Sequence, residues 1–171
     1  MLKPEHRVIV KEQLSDSCVR LFEAYGVAIV ADPPGTSGEL ADLSMVGVIG
    51  FTSNQMRGTL VLAATDAPLA ASNRVMAPAR DWIAELSNQL LGRFKNRLLS
   101  YGVDLQMSTP LSLRGSQLRL VTTERALEPD IFASPNGKVA VWLDVEASPD
   151  LVLAAPVGAS EVASEGDTLL F

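Results

Sequence analysis

The stretch from about Ala77 to Tyr101 constrains the fold of this chain more than any other. Ile83, Leu86, Leu90, Leu91, Phe94 and Leu98 recur at short intervals with the period of an α-helix buried along one stripe. Pro78 suits the first turn of such a helix, and Gly102 suits its end. Asp81, Glu85, Asn88 and Gly92 stand at i, i+4, i+7 and i+11, so they share an arc of roughly 60° on the opposite side. The helix therefore needs a layer to pack on, and it holds a carboxylate and a carboxamide out to water.

The remaining segments say what that layer is. Val8 to Tyr25 carries a second amphipathic helical pattern, which Gly26 stops. Val27 to Val30 is a short β-prone run. Leu43 to Thr52 and Met56 to Ala64 read as two strands joined through Ser53-Asn54-Gln55. Thr65 or Asp66 is the cap of a short helical piece over Ala67 to Val75. Past the long helix, Val103 to Ser108, Leu111 to Arg114, Gln117 to Thr123, Ala126 to Ala133 and Lys138 to Glu146 read as strands, the last pair closed by Ser134-Pro135-Asn136-Gly137. In the final strand Val139, Val141, Leu143 and Val145 share one side, and Ala140, Trp142, Asp144 and Glu146 share the other, with the two carboxylates expected in solvent. These elements predict an α+β fold: an antiparallel sheet with two long helices packed on it. Residues 1–148 form the expected domain, and residues 149–171 an acidic flexible tail, with Leu151-Val152-Leu153 as an alternative edge strand.

Composition excludes several functions. A chain of 171 residues, 47% hydrophobic, supports one substantial core. Its net charge of -6 argues against a phosphate-backbone partner, so no nucleic acid is expected. Cys18 is the only cysteine, which rules out an internal disulfide and a cysteine metal cluster and fits a reducing cytoplasm. The apolar runs are too short for a membrane span, and no signal-peptide core forms near the start. Gly47 and Gly50 lie inside a predicted strand, so close packing or a bulge accounts for them better than a phosphate loop.

The chemistry narrows in the same way. His6 is the one histidine, expected to be exposed near a frayed terminus, and Cys18 falls on the apolar side of the first helix. Neither supports a Ser-His-Asp or Cys-His arrangement. No carboxylates cluster with metal-ligand spacing. Glu85 and Asn88 remain, about 5–6 Å apart at Cβ on a helix, close enough to grip one small group together. A carboxamide has a donor and an acceptor with which to orient a water for in-line attack, and a carboxylate can anchor an ammonium. The same Glu-x-x-Asn spacing also occurs on ordinary solvated helices.

Asp81-x-x-x-Glu85-x-x-Asn88 with Gly92 four residues on, preceded by the Gly50-to-Leu62 hairpin and followed by Tyr101-Gly102-Val103 and Ser108-Thr109-Pro110, resembles the CheC/CheX family of chemotaxis phosphatases. The likeness runs from roughly Val8 to Glu146 in element order. It implies a phosphatase that hydrolyses the aspartyl phosphate of a CheY-like response-regulator receiver domain. In that role Asn88 and Glu85 are catalytic, Asn88 positioning the attacking water and Glu85 pairing with the receiver's active-site lysine, while Asp81, Gln89 and Gly92 contact the partner. The receiver would supply Mg²⁺ and the phosphoryl group, so the chain needs no metal or cofactor of its own. Glu12-Gln13-Leu14-Ser15 carries serine where two-site members have a second asparagine, which implies one site per chain, as in the CheX-like branch, and the homodimer which that branch resembles. The alternative is a CheX-like module that binds a receiver or a flagellar component without catalysis.

Overall fold

The computed structural model describes residues 2–32, 43–116 and 123–153. Among them lie α1 (Pro4–Ala24), β1 (Val30–Ala31), β2 (Met45–Thr52), β3 (Met56–Ala64), α2 (Asp66–Ser72), α3 (Ala79–Leu99), β4 (Gln106–Met107), β5 (Leu111–Arg114), β6 (Asp130–Ser134) and β7 (Gly137–Ala147). The strands form one antiparallel sheet in the order β1-β6-β7-β3-β2. β4 and β5 both pair with the remaining side of β2, β4 at Phe51 and Thr52 and β5 from Met45 to Val48.

The central hairpin forms where the β-prone runs and the Ser53-Asn54-Gln55 turn predict it. Ser53 fixes that turn: its backbone N–H donates to Met56 O at 2.7 Å, and its hydroxyl accepts from the N–H groups of Gln55 and Met56 at 3.2 and 3.0 Å. Both long helices end in the same way. Gly26 and Gly102 adopt φ of +77° and +81°, and the next residues, Val27 and Val103, each donate back five residues to Phe22 O and Leu98 O at 3.0 Å.

The alternation along the strands sorts the apolar residues into two buried clusters. Ile49, Leu60, Leu62, Val141 and Leu143 face α1 and α3, against Leu14, Leu21, Phe22, Ile83, Leu90 and Phe94. Val46, Val61, Ala63, Ala140 and Trp142 form a second cluster with Leu43 on the other face. That face is thus apolar and buried along half its length. Asp144 and Glu146 reach solvent as expected, and there they pair with Arg125 at 3.6 and 3.3 Å, Glu146 also pairing with Arg57 at 2.9 Å.

Several boundaries differ from expectation for identifiable reasons. α1 starts at Pro4, whose missing N–H costs nothing in a first turn, and this turn packs Leu2 and His6 inward. His6 is therefore buried and not an exposed terminal residue. Pro78 precedes α3 as its N-cap and does not lie in its first turn. Thr65 is the N-cap of α2 but makes no side-chain cap bond; its hydroxyl accepts from Lys138 N at 3.0 Å instead, tying the helix to β7. The expected strand over Val103 to Ser108 shrinks to β4, since β2 ends at Thr52 and offers pairing to only two residues. The expected Ala126-to-Ala133 strand shortens to β6 beyond Pro129, which has no N–H to give, and leaves one bridge between Ala126 and Asp144. Leu151 is buried and Leu153 packs on the core, so the packed chain continues past the boundary expected at 148, without an added strand there. Most of the expected strand at Gln117 to Thr123, and the tail from 154 onward, lie outside the described residues. No helix among the described residues is long and apolar enough to cross a membrane.

Candidate functional site

The rotation of α3 about its axis is set by a glycine in the strand beneath it. Gly47 lies in β2 directly under the helix: a Cβ there would collide with Ser87 Oγ and come within 2.9 Å of the Ile83 carbonyl. Ser87 folds its hydroxyl back onto the same carbonyl at 2.8 Å, so a small polar side chain is satisfied where the helix meets the sheet. Glu85 is two residues from Ser87, about 200° around the helix, and so is turned away from the sheet. α1 holds α3 from one side and runs antiparallel to it. Midway along α1, Gln13 accepts from Arg97 at 3.1 Å and Asp16 pairs with Arg97; at its end, Tyr25 packs edge-on against Trp82, ring centres 5.0 Å apart. Trp82 in turn donates its indole N–H to Ser72 Oγ at 2.9 Å and so anchors α2.

The face left open carries the predicted site. Asp81, Glu85 and Asn88 are exposed, and Gly92 is half-buried with no atom within 4 Å of where its Cβ would stand. Asp81 lies 3.3 Å from the Arg80 guanidinium. Among the described residues the Asn88 carboxamide makes no hydrogen bond, so both its donor and its acceptor are available to a partner. Gln89 differs from the other four. It is half-buried, accepts the Tyr25 hydroxyl on Oε1 at 2.8 Å, and donates from Nε2 to Glu85 Oε1 at 2.7 Å. Both ends of its amide are thus engaged within the chain. Tyr25 escapes sequence reasoning, where it reads only as the last apolar position of the first helix; a contact across 64 residues leaves no local signal.

Other titratable groups are spent elsewhere. Burial and the nearby Asp130 push the Cys18 thiol far above its usual range, which removes it as a nucleophile. Asp130 is raised by desolvation, opposed by Lys11 at 3.2 Å. A groove of about 560 Å³ opens on the far face of the sheet beside Arg57, Arg125, Asp144 and Glu146, where each guanidinium already has a carboxylate. Hydrogen bonds and charge from Arg57 lower the Glu146 carboxyl. No group of three or more His, Cys, Asp or Glu among the described residues could hold a metal ion.

Two long antiparallel helices on one face of an antiparallel sheet are the fold this chain shares with CheX and CheC-like chemotaxis proteins. CheX from Vibrio vulnificus superposes with a TM-score of 0.72 at 18% identity, over 82% of this chain and 98% of that one. A CheC-like superfamily protein from Shewanella sp. PV-4 gives 0.71 at 20%, over 81% and 97%. CheX in the CheX-CheY-BeF3-Mg²⁺ complex from Borrelia burgdorferi gives 0.63 at 14%, over 79% and 96%. The likeness at these identities is one of fold. No protein-family model and no curated protein matches the chain.

Proposed function

We propose that this chain is a phosphatase that hydrolyses the aspartyl phosphate of a CheY-like receiver domain, in chemotaxis or two-component signalling in the cytoplasm. The observation that carries the reading is the outward presentation of Glu85 and Asn88 on α3 within a CheX-like fold. The Borrelia complex supports a receiver as the partner, since there a CheX of this fold is bound to CheY with BeF3 and Mg²⁺.

The chemistry follows from what the face contains and what it lacks. Asn88 offers an NH₂ donor group and a carbonyl acceptor, enough to hold a water in line with a phosphorus atom. Glu85 gives one carboxylate oxygen to Gln89 and keeps the other for a partner's ammonium. The remaining parts, the phosphoryl group and Mg²⁺, come with the receiver, so α3 completes a site that the partner begins. From Asp81 to Gly92 the helix rises about 16 Å. A standard interface of about 800 Å² per partner covers that length. Asp81 and Gly92 then mark the two ends of the contact, and a homodimer with one such face per chain is the assembly the resemblance implies.

The test is dephosphorylation of CheY-like receivers of the source organism, with and without the protein. Wild type should accelerate release with at least one receiver, and Asn88→Ala should lose roughly 10²-fold or more of that acceleration, the usual cost of removing one positioned polar group. Full activity in Asn88→Ala overturns the assignment. Binding that survives Asn88→Ala, with no acceleration by wild type on any receiver, replaces it with the non-catalytic module.

A further inference from the structure

We infer that Tyr25, at the end of α1, is a positioning residue for Glu85, acting through Gln89; this rests on the phosphatase reading above. The geometry has a fixed polarity. A carboxylate offers only acceptors, so Gln89 must turn its NH₂ group toward Glu85, where Nε2 lies 2.7 Å from Oε1. The amide oxygen is thereby committed to the other side, where it accepts the Tyr25 hydroxyl at 2.8 Å. The tyrosine ring cannot follow a moving amide, since its edge is packed at 84° against Trp82, and Trp82 is buried and hydrogen-bonded to Ser72. Rigidity passes from the core through a phenol and a carboxamide to one oxygen of an exposed carboxylate.

An isolated Glu on a helix surface samples several rotamers and loses that freedom when a partner's cation arrives. Here one Glu85 oxygen is held before the partner binds, and the other is left to face it. Gln89, placed by sequence among the partner contacts, becomes the internal link, and its i,i+4 spacing to Glu85 sets the reach. Pre-ordering one rotamer-rich side chain changes affinity by about twofold to tenfold.

The experiment is a double-mutant cycle on binding, read as the Kd for a CheY-like receiver loaded with BeF3 and Mg²⁺. Tyr25→Phe keeps the ring against Trp82 and removes only the hydroxyl. It should weaken binding by about twofold to tenfold in the wild-type background and leave Kd unchanged in Glu85→Ala. Gln89→Met should show the same dependence on Glu85. An unchanged Kd in Tyr25→Phe, or the same loss with and without Glu85, overturns the relay, because a merely structural effect would not depend on Glu85. Failure of the phosphatase reading shows separately: Asn88→Ala then dephosphorylates as wild type does, whatever the cycle gives.

Discussion

Gly92 separates stability from function on the candidate face. Nothing lies within 4 Å of a Cβ built there, so Gly92→Ala meets no clash and should gain roughly 0.5–1 kcal/mol from helix propensity. It also adds a methyl one turn beyond Asn88. We expect a higher melting temperature together with a weaker receiver complex; a higher melting temperature with unchanged affinity would show that the partner does not approach there. Asp130 gives a prediction of another kind. Desolvation raises its carboxyl, so the folded state binds the proton more tightly than the unfolded chain does. Its contribution is fully present below the ordinary aspartate range and is lost as pH rises through the raised value. Unfolding free energies measured across that window should fall with pH in the wild type relative to Asp130→Asn, and parallel curves would contradict the assignment. Individual residues were legible in the sequence where periodicity alone decides burial, as for Cys18 on the apolar side of α1. They were not where a tertiary neighbour decides it. His6 is buried because Pro4 starts α1 early, and Gln89 is half-buried because Tyr25 reaches it from 64 residues away.

At the scale of elements, the contact of α3 with β2 decides which residues face out. Gly47→Ala would drive a methyl into Ser87 Oγ and the Ile83 carbonyl, and the backbone there cannot rotate away as a flexible side chain would. Overpacking of this kind costs about 1–3 kcal/mol, to be read as a lower denaturant midpoint with an unchanged slope. Stability equal to wild type would mean that the helix can lift off the strand. The two long helices and the β2–β3 hairpin announce themselves in the sequence through the 3.6-residue period and the strand-turn-strand composition. The ends of strands do not, since β4 is limited by where its partner stops and β6 by Pro129. The second apolar cluster was half visible: Ala140 and Trp142 fall on one side of β7 as the alternation requires, but their burial with Val46 and Val61 depends on strands distant in sequence.

For the molecule as a whole, the fold supplies a rigid platform and one polar helix face. The sheet carries α3 through Gly47, α1 fixes it through Asp16 and Tyr25, and the face turned outward includes Asp81, Glu85 and Asn88, with Gly92 half-buried beside them. The fold class and this face were legible because a long amphipathic helix states both its buried and its exposed side. The proposed partner enters only through the resemblance of Asp81-x-x-x-Glu85-x-x-Asn88 to a known family, because half of the proposed site would belong to another protein and leaves no trace in this chain. The central claim is that Asn88 does chemistry on that partner. Its most direct measurement is the rate of phosphate loss from phosphorylated CheY-like receivers with wild type and with Asn88→Ala. The account predicts acceleration by wild type and a loss of roughly 10²-fold or more in the variant; no acceleration of any receiver, or equal rates for the two proteins, would contradict it.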